Sequence, residues 1–85
     1  MSAKFCVDTE YDSDIVDKIL LAIDDCGIAW RAGQKPTGYG YKGDEGVSRF
    51  LAVNDGELYA TGNSLNHERV SVGNFINRCV GGKYA

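Results

Sequence analysis

The stretch from Ala29 to Lys42, A-W-R-A-G-Q-K-P-T-G-Y-G-Y-K, carries the chain's one tryptophan and one proline together with Arg31, Lys35 and Lys42, and holds no carboxylate. Cations interleaved with aromatic faces suit a phosphate, a nucleotide, single-stranded nucleic acid or an acidic protein surface. In a chain of net charge −3 this stretch inverts the local sign, which marks it as the expected binding surface. Trp30, Arg31, Lys35, Tyr39, Tyr41 and Lys42 are the expected partner-binding residues. Trp30 has a structural alternative, because an aromatic at the end of a short strand closes many small cores. Tyr39 and Tyr41, flanked by glycine, have little core to reach; local packing is their alternative.

Other groups with chemical potential fit structural roles better. His67 sits in L-N-H-E-R with no recognisable nucleophile or orienting partner, so it reads as an ordinary loop histidine. Asp8, Glu10, Asp12 and Asp14 recur at period two across a strand end and a helix start, without the glycine turn and terminal glutamate of a calcium loop; capping and solvation account for them. G-Y-G-Y-K-G-D-E-G lacks the G-K-S/T of a P-loop and leads into a strand, where a phosphate loop leads into a helix, so nothing in it supports a nucleotide pocket. Cys6, Cys26 and Cys79 are odd in number and lack C-x-x-C spacing, which argues against a disulfide framework and a structural zinc site and for small apolar fillers. No catalytic residue, metal ligand or cofactor is expected.

These side chains have to be positioned by one small core. A chain of 85 residues forms one domain, spanning residues 1–85, and buries roughly 60% of its unfolded surface. That leaves it marginally stable, and self-association would help. An apolar fraction of 44% with 25% charged residues is ordinary for a folded protein. The N-terminus lacks a signal-peptide core and no apolar run reaches membrane-spanning length, so a soluble protein of a reducing cytoplasm is expected. Charge falls in blocks: acidic through residue 25, basic from 26 to 43, then acidic and basic again. Such blocks read either as solvated faces or as a two-faced molecule with an acidic helix and a basic aromatic loop.

Phe5 and Val7 alternate with polar neighbours and Cys6, predicting a strand over 4–9. Ile15, Val16, Ile19, Leu20, Ile23 and Cys26 fall on one helical face, predicting a helix over about 14–26, capped before by Asp12, Ser13 or Asp14 and after by Gly27. A short strand over 28–31, strands over 47–53 and 58–61 joined by the turn Asn54-Asp55-Gly56-Glu57, and an edge strand at 69–70 follow. Ser71 then caps a short helix whose apolar side is Val72, Phe75, Ile76 and Cys79. The fold class is α+β: a small, mainly antiparallel sheet with an amphipathic helix packed on it and a short C-terminal helix, in the order β-α-β-β-β-α. Phe50 and Leu51 point to opposite sides of their strand, so the sheet's second face needs a cover, supplied either by the C-terminal helix or by a second protomer. A homodimer is the expected state.

The segments F-C-V-D-T, D-D-C-G-I-A-W-R-A-G, F-L-A-V-N-D-G-E-L-Y and V-S-V-G-N-F-I are similar to those of small accessory proteins of tailed bacteriophages, over residues 4 to 79. In that class a helix ending at G-x-x-W leads to a loop, a strand, a D-G hairpin and a C-terminal helix. The resemblance implies a role in host takeover or in resistance to host defences, including inhibition of toxin-antitoxin ribonucleases, and implies no catalytic signature. The expected function is that of a non-enzymatic inhibitor of a bacterial host protein in the host cytoplasm, acting through the basic aromatic loop, with RNA as an optional bridge. Two alternatives stand beside it: a sponge that holds a nucleotide messenger between protomers, and a nucleic-acid-binding regulator, against which the acidic balance counts. Copurified protein, small ligand or nucleic acid would distinguish the three.

Overall fold

A computed structural model describes residues 4–30, 33–38 and 47–81. The described residues form β1 (Lys4–Asp8), α1 (Ser13–Ile23), β2 (Ala29–Trp30), a 3-10 turn (Pro36–Gly38), β3 (Phe50–Asn54), β4 (Glu57–Thr61), β5 (Glu68–Val70) and α2 (Val72–Val80). The strands make a five-stranded sheet in the order β2-β4-β3-β1-β5. β3 pairs antiparallel with β1 and β4 over five residues each, whereas the short outer strands β2 and β5 run parallel to β4 and β1. The class is α+β, and by paired length the sheet is mostly antiparallel.

Local chemistry explains the secure elements. The β3–β4 turn places Asp55 at φ 56° and Gly56 at φ 81°, as a two-residue hairpin of the primed type requires. Asp12 caps α1 by accepting from the Asp14 amide at 2.9 Å, and Ser71 caps α2 by accepting from the Asn74 amide at 3.1 Å. α1 stops at Ile23, three residues short of the expected end. Asp24 and Asp25 bring two carboxylates to the negative end of the helix dipole, which disfavours further turns there. The Asp24 carboxylate instead accepts bonds from Thr37, and the chain turns back at Gly27 with φ 95°.

β3 begins three residues later than expected, because Val47 to Arg49 reach β1 through a side chain. Thr9, fully buried, donates its hydroxyl toward the carbonyls of Ser48 (2.7 Å) and Arg49 (2.8 Å), and its amide donates to the Arg49 carbonyl at 2.7 Å. This accounts for the one buried polar side chain among the described residues.

Both helices lie on the same face of the sheet. Phe5, Val7, Leu51, Val53 and Leu58 form one cluster with Val16, Ile19, Leu20 and Ile23 of α1 and Phe75 and Cys79 of α2. Phe75 meets Phe5 edge to face, with ring centroids 5.3 Å apart. α2 therefore does not cover the second face, contrary to one of the two options the sequence left open: its apolar stripe is drawn to Phe5 and to α1. On that second face Cys6, Phe50 and Ala52 form a separate buried cluster with Tyr59 against it. Phe50 is only 4% exposed within a single chain. The cysteines are free; Cys6 and Cys79 are buried and Cys26 is half-buried. Burial pushes the Cys79 thiol up to about 12, with Cys26 nearby adding to the shift.

Ile23 and Leu20 sit at the centre of the helix-covered core, so Ile23→Ala and Leu20→Ala are each expected to cost about 2–4 kcal/mol. Thermal melts should drop by about 10 °C or more; melts within a degree or two of the parent would refute this packing.

Candidate binding surface

Two regions are candidates for a binding surface, and the first is the root of the basic aromatic loop. Trp30 ends β2 and is 6% exposed. Its indole Nε1 donates to the Pro36 carbonyl at 3.0 Å, while its backbone amide donates to the Gln34 carbonyl at 3.0 Å. Gly33 returns a bond to the Trp30 carbonyl at 2.7 Å from φ 94°, a backbone conformation in which a side chain would be strained. Trp30 thus belongs to the core and holds the loop by its indole N–H, the alternative its position carried in the sequence. The 3-10 turn then docks on the end of α1: Thr37 donates its amide (3.1 Å) and hydroxyl (2.7 Å) to Asp24 Oδ1.

Lys35 Nζ lies 3.3 Å from Asp25 Oδ1, and both side chains are well exposed. Such a surface pair contributes roughly 0–1 kcal/mol, so it holds Lys35 only weakly. Arg31, Tyr39, Tyr41 and Lys42 lie outside the described residues.

The second region is the helix-free face. Arg49 and Arg69 place their guanidinium carbons 5.2 and 5.1 Å from the centre of the Phe50 ring, covering it with delocalised cations. Both reach the same acceptor: Arg69 Nη2 is 3.2 Å and Arg49 Nη2 3.5 Å from Asp8 Oδ2. Asp8 Oδ1 accepts from the Glu10 amide at 2.8 Å, in a turn where Glu10 and Tyr11 adopt φ 55° and 56°. Asp8 and Asp12 are therefore engaged in local structure and, for Asp8, in arginine pairing. Among the described residues no three His, Cys, Asp or Glu side chains come together as a metal ion would require.

Beside this cluster the Tyr59 hydroxyl bonds His67 Nε2, and His67 Nδ1 lies 2.7 Å from the Leu65 carbonyl. A carbonyl only accepts, so Nδ1 carries the proton and Nε2 receives the bond from Tyr59. Both ring nitrogens of His67 are engaged. Burial, with Cys6 and Glu57 nearby, pushes the Tyr59 phenol up and keeps it a donor. At the sheet edge Arg78 grips Glu68 with two bonds of 3.0 and 2.7 Å while lying over Phe5, tying β5 to α2. That contact holds the Glu68 carboxyl below its ordinary value.

The Asp8, Arg49 and Arg69 cluster was missed by sequence reasoning, since its members are 41 and 61 residues apart along the chain. The available signal was parity: Phe50 and Ala52 alternate with Leu51 and Val53, so a buried second face had to exist.

The Thr37 hydroxyl, then the Thr37 amide, hold the Asp24 carboxyl below the usual aspartate range, with Lys35 adding to the shift. A depressed folded value stabilises the loop root above the ordinary aspartate range, and that contribution disappears as pH falls through the depressed value. Thr37→Val is expected to raise the Asp24 titration midpoint toward the ordinary value in carboxyl NMR, and an unchanged midpoint would count against this anchoring.

No protein-family model, curated protein or solved structure matches the chain.

Proposed function

We propose that this chain is a non-enzymatic, phage-encoded binding protein that inhibits a bacterial defence factor, such as a toxin-antitoxin ribonuclease, by occupying its surface with the basic aromatic loop. RNA is an optional bridge in the complex. The phage and host-defence part of this reading comes from the resemblance to phage accessory proteins, and the observation that supports a contact loop is the anchoring of its first part: β2, the buried Trp30 indole and the Asp24–Thr37 contact hold Trp30, Pro36 and Thr37 in place. A fixed root lowers the ordering cost of binding. The adjoining segment supplies Arg31, Tyr39, Tyr41 and Lys42 without an intervening carboxylate, and Lys35 is held only by an exposed pair. No described helix is long and apolar enough to cross a membrane, and a partner in the host cytoplasm belongs to the same proposal.

Charge reversal by Arg31→Glu with Lys35→Glu is expected to abolish capture of the host partner in a pull-down while circular dichroism stays unchanged, and wild-type capture would sink the proposal. Binding by the parent chain should weaken with rising salt.

Self-association is a second part of the proposal. Phe50 is already covered within one chain, so the second face does not demand a protomer, and the support that remains is the small size of the core. Sedimentation at micromolar concentration is expected to give a particle of twice 9.2 kDa; a monomer throughout would remove the dimer and any ligand pocket between protomers.

A further inference from the structure

We infer that Arg49 and Arg69 form a phosphoryl-binding site on the helix-free face of the sheet, in which guanidinium N–H groups other than those directed at Asp8 Oδ2 meet the phosphoryl oxygens. The inference does not rest on the loop being the contact surface.

The convergence of the two cations is the first support. Each guanidinium directs an Nη2 donor at one and the same oxygen, 3.2 and 3.5 Å away, so both already aim at a single oxyanion position. Each guanidinium has five N–H donors, and two of them in parallel match the oxygens of a phosphoryl group better than a lone carboxylate oxygen does. Two guanidinium charges face one carboxylate, which leaves the cluster net positive in a chain that is net negative.

The second support is that the site is both accessible and shaped in advance. The Arg49 and Arg69 side chains are 47% and 54% exposed, yet both guanidinium groups rest over the Phe50 ring, which restrains them. Phe50 is itself fixed between β1 and β4, paired with Asp8 and Thr61. Pre-set arginines lose less side-chain freedom when they bind. Among the described residues Asp8 is the competing anion that meets both arginines: its side chain is 27% exposed and its other oxygen is already committed to the Glu10 amide. Arg49 stands immediately before β3, where the segment that follows Trp30 rejoins the sheet, so a phosphate held here sits at the foot of that segment.

Phosphoryl groups reach such a site either from a mononucleotide or from a polynucleotide backbone, and the test separates the two. The full-length chain, labelled with nitrogen-15, is titrated with inorganic phosphate, with AMP and with a single-stranded decaribonucleotide while the arginine Nε–H resonances are followed. The resonances of Arg49 and Arg69 are expected to move together. Arg49→Gln and Arg69→Gln should each weaken binding about tenfold. Asp8→Asn, which keeps an oxygen for the Glu10 amide but removes the competing charge, should tighten binding several-fold.

Equal affinity for AMP and the decanucleotide identifies a mononucleotide site, and tighter, steeply salt-dependent binding of the decanucleotide identifies a backbone site. Absence of binding to all three probes, shifts confined to other arginines, or unchanged or weaker binding by Asp8→Asn overturns the inference. If Arg69→Gln loses its fold, Arg69→Lys keeps the cation and loses the fork, and wild-type affinity in that variant likewise overturns it. Arg31→Glu with Lys35→Glu should leave phosphate binding intact, which keeps failure of the loop proposal distinct from failure of this one.

Discussion

A central strand that buries both of its faces needs two covers, and the described helices of this chain provide only one. β3 is that strand: Leu51 and Val53 point into the core beneath α1 and α2, and Phe50 and Ala52 point the other way. The second cover is made from long polar-tipped side chains. The guanidinium groups of Arg49 and Arg69 lie over Phe50, and Tyr59 leans against the cluster with its hydroxyl held by His67. Such side chains bury their bodies while keeping their charged or polar ends near water. The result is a face that is dry at the backbone and positively charged at its rim, and it is this arrangement that gives the helix-free side a surface with chemistry of its own.

The same constraint organises the electrostatics. Asp8 sits at the end of β1, where one carboxylate oxygen fixes the turn into α1 and the other meets both arginines. Glu68 and Arg78 repeat the theme at the sheet edge, where a bidentate pair joins β5 to α2. Asp24 does it at the end of α1, with hydroxyl and amide donors in place of a cation. In each case a carboxylate links separate elements, from Glu68–Arg78, 10 residues apart, to Asp8–Arg69, 61 apart, so part of the acidic surplus works as structural wiring at junctions between elements.

What was legible in the sequence was what neighbouring residues decide among themselves. The α1 stripe of Val16, Ile19, Leu20 and Ile23 shows because helical spacing is local, and the Asp55-Gly56 turn shows because only certain residues tolerate positive φ there. The Ser71 cap is read from a hydroxyl and an amide three residues on. Strand order, the early end of α1 and the shared carboxylate of Asp8 were not legible. Each depends on a partner that folding brings from a distance, such as Thr37 for Asp24 or Arg69 for Asp8. Trp30 lay between these cases: its residue type fitted both a contact and a core role, and the position of Pro36 decided its placement.

The position of β1 in the sheet also sets an order of events. β1 lies between β3 and β5, so the earliest strand of the chain has no neighbour until residues 50–54 and then 68–70 exist to pair with it. Closing those long loops before any pairing is gained is slow compared with forming the β3–β4 hairpin, whose partners are adjacent in sequence. β1 precedes both of its partners along the chain and is therefore seated after the β3–β4 hairpin. Until those partners are in place Phe5, Cys6 and Val7 lack the strands that flank them, which leaves β1 open to chaperone capture or misassociation before the fold closes around it.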